Sequence, residues 1–186
     1  MQGGQVTSEQ AATDTARWLE RAVIGLNLCP FAKAVHVKGQ VHLAVSGHDE
    51  VAAVLEDLDR EVSDLLAMEA AQRDTTLLVV PAGFDDFLLF NELVRAAERM
   101  LARRRLEGVL QLASFHPRFV FAGADEDDLA NFTNRAPHPT VHLLREASID
   151  RAVAAFPRAE AIYEANIETL RRLGRDGWHA LGADAP

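Results

Sequence analysis

Apolar residues recur along this chain at two spacings, and the switch between them marks out the elements. From Thr7 onward, Ala12, Ala16, Leu19, Val23 and Leu26 follow at helical intervals, and TSEQ at Thr7 to Gln10 has the form of a capping box. Pro30 disfavours helical backbone at Cys29, so this helix is predicted to end by about Leu28. Ala34 to Val37 and Val41 to Ser46 read as short strands around KGQ, with Gly39 suited to a positive φ angle, and together predict a β-hairpin. After SGHD at Ser46 to Asp49, Val51, Val54, Leu58, Val62 and Leu65 draw an apolar helical stripe, and the helix is predicted to reach about Ala71.

TTLLVV, Thr75 to Val80, lacks polar alternation, as expected for a strand covered on both faces. A helix follows over roughly Asp86 to Arg104, with acidic residues at its start and arginines at its end to match its dipole. Val109 to Phe115 and Thr140 to Arg145 are two further strands, Glu146 to Ala154 a short helix, and Pro157 opens a last helix that Gly174 ends. The Gly-rich tail beyond it is expected to fray, with Trp178 available to dock on the body. This succession predicts an α/β fold: a three-layer sandwich whose mixed, mostly parallel sheet of four to five strands is flanked by helices.

Composition narrows the class. With 186 residues, 48% of them hydrophobic, the chain can bury one substantial core, and it contains no linker or repeat; a single domain over 1–186 is predicted, with a short flexible N-terminus and tail. A formal net charge of −9 opposes general nucleic-acid binding, which needs a basic face. No apolar run is long enough to cross a bilayer and the N-terminus lacks the features of a secretory signal, so a cytoplasmic protein without a membrane partner is expected. Cys29 is the only cysteine, which excludes an internal disulfide and any zinc site built on several cysteines.

Candidate chemistry concentrates between Gly108 and Arg145. The predicted loop there carries His116, Arg118, Asn131, Asn134, Arg135 and His138, broken by Pro117, Pro137 and Pro139, and is too long for a plain connection. Its phenylalanines favour order. Ligands of open α/β sheets bind beyond the carboxyl ends of parallel strands, and the hairpin register would bring Cys29 and Lys33 to that edge. Cys29 is then a candidate nucleophile and His116 its acid/base partner, since a Cys–His pair generates thiolate near neutral pH. Arg135, Asn134 and Lys33 are candidates to hold an anion, with Arg118, Asn131 and His138 completing the ligand-binding set. Each has a plain structural alternative: a buried thiol, a histidine bonding its own loop, an arginine in solvent.

Two other readings compete. His138, His142, His116 and Cys29 are the residues from which a metal site would be built, although no HExxH or regular acidic cluster supports one. A non-catalytic interaction module would instead dock a protein through Phe119, Phe121 and Phe132. No motif names a cofactor: the nucleotide-binding glycine fingerprints and the GxSxG elbow of serine hydrolases are all missing. The leading expectation is an enzyme or enzyme-like binder of a small anionic metabolite bearing phosphate or carboxylate.

LNLCPFAK at Leu26 to Lys33, LQLASFHP at Leu110 to Pro117, NFTNRAPHPTVHLLREASI at Asn131 to Ile149 and EAIYEANIETLRRLG at Glu160 to Gly174 resemble a bacterial family classed as domain of unknown function 1415. The resemblance covers nearly the whole chain. It implies a single cytoplasmic domain and supplies no catalytic assignment.

Overall fold

The computed structural model describes residues 6–155 and 161–184. Helix α1, Ser8–Trp18, begins at Thr7, whose hydroxyl accepts from the Gln10 amide. The capping box is only half formed, because the Gln10 side chain donates forward to Asp14 at 2.8 Å. From Leu19 to Ile24 the helix widens to a π-helix, and Asn27, in a left-handed conformation with φ of 56°, ends it as Pro30 requires.

The predicted hairpin does not form. Ala32–Val37 is a short helix, α2, capped by Lys38, and Gly39 is the residue just past that cap rather than a hairpin turn. With φ of 69°, Gly39 donates to the carbonyl of His36 while Gln40 donates to that of Val35, the paired bonds of a Schellman stop. Gly after a short apolar run is common to both structures, and the neighbouring Ala and Lys side with the helix.

The chain then runs through β1 (Val41–Val45), α3 (Val51–Ala67), β2 (Thr75–Val79), α4 (Phe87–Arg103), β3 (Leu110–Phe115), a 3-10 turn (Leu129–Asn134), β4 (Thr140–Arg145), α5 (Glu146–Ala154) and α6 (Ala161–Ala180). The start predicted for the last helix at Pro157 lies outside the described residues. Gly174, at φ of 69°, breaks α6, and a final helical turn carries Trp178 into the core.

The four strands form one sheet in the order β1-β2-β4-β3. The fold is mixed α/β, and the sheet is mixed rather than mostly parallel: β1 pairs with β2 in parallel, while β4 pairs antiparallel with both β2 and β3. The reason is β4, which returns from a loop instead of a crossover helix and so enters the sheet in the opposite direction. β4 separates β2 from β3, so the alternation of strands and helices implied more parallel pairing than exists.

Side-chain alternation divides the core in two. On one face Leu78, Val141, Leu143 and Leu110 meet the apolar stripes of α3 and α4. On the other, Leu77 meets Trp18 of α1, Leu19 and Ala22 of the π-helix, and Leu170 and Trp178 of α6. β2 is buried along its whole length, as its unbroken apolar run predicts. Among the described residues no helix is long and apolar enough to cross a membrane.

Candidate functional site

The polar residues of the loop after β3 are used to fold it. His116 is fully buried; its Nδ1 accepts from the Arg118 amide at 3.0 Å, so Nε2 carries the proton and donates to the carbonyl of Phe84 at 2.8 Å. Burial holds its pKa below the ordinary histidine value, against the opposing bond to Phe84. With the rings of Phe87 and Phe90 each 5.2 Å away, this imidazole has no nitrogen left for a substrate.

The other loop residues are similarly committed. Asn131, also fully buried, accepts from the Phe121 amide and donates to the carbonyl of Asp125. Asn134 donates to the carbonyl of Ser114 at 3.1 Å. Arg135 donates to the carbonyls of Phe119 and Glu126 and lies over the Phe132 ring, its guanidinium carbon 4.3 Å from the centroid. Burial and the nearby Arg175 lower its pKa. Arg118 bonds the carbonyl of Asp85, and His138 lies 3.3 Å from buried Asp14 of α1. Lys33 is exposed on α2. Because the hairpin is absent, Lys33 is not carried to the carboxyl end of β1 as its register would have required.

The large cavity lies elsewhere. About 650 Å³ of space sits on the sheet face shared with α1, floored by Val41, Thr75, Leu77, Ala113, Phe115 and His142. The strand registers place these residues on one face: Val41 pairs with Thr75, Leu77 with His142, and Ala113 with His142 from the far side. Cys29, Phe31 and Val35 line it from the segment ahead of β1, and Ile149 and Ala152 from α5. Gln40, Val41, Asp74 and Thr75 place it at the amino-terminal ends of β1 and β2. The expected crevice is at the other ends, where His116 is sealed under aromatic rings.

Of the eight candidate site residues, Cys29 alone lines this cavity. It is a free thiol of intermediate exposure. The cavity's few other polar groups have distinct states. Thr75 donates its hydroxyl to the carbonyl of Leu143 at 2.6 Å and lies 2.6 Å from Nε2 of His142. Burial pushes the His142 pKa down to about 4, so this imidazole is neutral at pH 7. Ser148 donates to Asp74 and receives Arg151 at 2.9 Å, whereas Arg145 is tied to the carbonyls of Leu65, Met68 and Arg73. Lys38, the residue that caps α2, is exposed at the rim.

Thr75 sits within an apolar run, and the sequence singles out His142 only as a member of a metal set. The signal that finds them is alternation: each puts a polar atom on a face whose strand neighbours are apolar. Among the described residues no group of three or more His, Cys, Asp or Glu is placed to hold a metal ion. The aromatic row of the rival reading packs internally: Phe119 meets Phe87 and Phe121, and Phe132 is buried against Trp178.

No curated protein and no solved structure matches the chain. A family model described as a protein of unknown function (DUF1415) matches residues 10–180 of the 186, and the chain belongs to that family.

Proposed function

We propose that the protein binds a small molecule with a largely apolar body in the cavity over the sheet, with an anionic group of that molecule held at the rim by Lys38 and Arg151. The cavity itself carries this reading. At about 650 Å³ it has the size of ligand sites in general, and its apolar lining with a few polar groups is their usual composition. The walls suit a three-layer reading of the architecture, with the sheet as the floor and α2 and α5 as sides.

The anionic metabolite expected from the sequence thus keeps its class and changes its contacts. Arg135, Asn134 and Arg118 bond the protein's own carbonyls and do not line this cavity, whereas Lys38 and Arg151 do line it, Arg151 spending one bond on Ser148. If the protein is an enzyme, Cys29 is its nucleophile, since it alone of the two expected catalytic residues lines the cavity.

The test is calorimetric titration with 2-naphthoate, a flat apolar body bearing one carboxylate. Wild type should bind it, and Ala113→Phe, which fills the floor, should abolish binding while keeping a cooperative melt. Lys38→Ala with Arg151→Ala should weaken binding several-fold and flatten its salt dependence. Equal binding by Ala113→Phe and wild type would overturn the placement in this cavity.

A further inference from the structure

The Thr75 hydroxyl has one proton, and the carbonyl of Leu143, 2.6 Å away, can only accept it. The contact between Thr75 and His142 Nε2 at 2.6 Å therefore takes its proton from the ring: Nε2 is protonated and donates. In a neutral imidazole this leaves Nδ1 as a bare acceptor. No hydrogen bond or ion pair among the described residues engages that nitrogen, and no buried side-chain nitrogen or oxygen lacks a partner, so Nδ1 is accessible. The surface it is accessible to is the cavity that His142 lines.

Across the sheet from His142 stand Leu77 and Ala113, with the Phe115 ring 6.1 Å away, and Trp18 packs edge-on against Phe115 at 5.0 Å. An acceptor on such a floor discriminates strongly. A molecule that covers it with a hydrocarbon strips Nδ1 of solvent and leaves it unpaired, at the full desolvation cost of that acceptor. A molecule that brings an O–H or N–H to it incurs no such loss, and a carboxylate there meets a lone pair instead of a proton.

We infer that His142 Nδ1 is the specificity-determining acceptor of this cavity, and that the ligand is a mostly apolar molecule carrying a neutral hydrogen-bond donor, a hydroxyl or an amide N–H, on the part that lies on the floor. This rests on the proposed binding function and goes beyond it. Thr75 is a positioning residue: by accepting from Nε2 it fixes the tautomer that turns an acceptor, not a donor, toward the ligand.

The experiment is calorimetry with two probes of one skeleton, 2-naphthol and 2-methoxynaphthalene, which differ in the donor. Wild type should prefer the naphthol by about tenfold. His142→Phe should erase the preference by weakening the naphthol alone; it keeps the ring volume and leaves the Thr75 hydroxyl bonded to Leu143. A second readout needs no variant: in the nitrogen NMR spectrum of the wild type, the non-protonated His142 resonance should be Nδ1 and should move on adding naphthol and not its methyl ether. Equal affinities with both probes bound would overturn the role of His142 and leave the cavity reading standing. Failure of both probes and of 2-naphthoate to bind would remove the cavity reading and this inference with it.

Discussion

His116 and Phe84 are joined by a 2.8 Å hydrogen bond from the imidazole Nε2 to the backbone carbonyl, which ties the exit of β3 to the loop after β2. Its other nitrogen accepts from Arg118, so one buried ring satisfies two backbone groups belonging to different loops. His116→Ala leaves both unpaired and opens a void between Phe87 and Phe90. The expected loss is about 3 kcal/mol of unfolding free energy in urea. Because the ring is not among the residues that line the cavity, the affinity for 2-naphthoate should be unchanged at a temperature where the variant is folded.

Stability should fall on acidification from neutral pH, and the sign follows from the buried histidines. His142 titrates at about 4 when folded and near 6.5 when unfolded, so between those values the unfolded chain holds more protons. Its contribution is fully present above pH 6.5 and lost as pH falls through about 4, with a span of roughly 3 kcal/mol. His116, also lowered by burial, acts in the same direction. Urea midpoints measured from pH 7.5 to pH 4.5 should decline steadily, and His142→Phe should flatten the decline. A midpoint that is constant or rises toward pH 5 would contradict the desolvation of both rings.

Cys29 offers a third measurement because it is the only thiol. It lines the cavity and is partly exposed, so N-ethylmaleimide should add once to the native protein. With 2-naphthoate present at ten times its Kd, about a tenth of sites are open, and labelling should slow about tenfold. Labelling at the same rate with and without a bound ligand would place the thiol outside the occupied space.

Helices and strands were legible where the spacing of apolar residues is long and regular, as in α3, α4 and β2. The stretch before β1 was not, because AKAVHVKGQ satisfies both a hairpin and a helix with a glycine stop, and only the bonds from Gly39 and Gln40 decide between them. The loop after β3 is legible in sequence as a long segment rich in polar groups. What those groups serve is not legible there, since a polar side chain that bonds a backbone carbonyl looks in sequence like one that serves a ligand. Asn131, Asn134 and His116 are all of the first kind. The cavity is not legible in sequence because its floor is a set of alternate residues from four strands, a relationship that exists only once the register is set.

The position of β4 governs the order in which the molecule can be completed. β1 and β2 can pair as soon as residue 79 is made, but β3 has no neighbour in the sheet until β4, the last of this sheet's four strands in sequence, arrives beside it. A ribosome that has released residues only up to Pro139 therefore holds two fragments of sheet with unpaired edges, prone to pair with other chains. The same late strand brings His142 to Thr75. Closure of the sheet and creation of the cavity's polar centre are one event, and a nascent chain has no complete cavity floor until its last strand is in place.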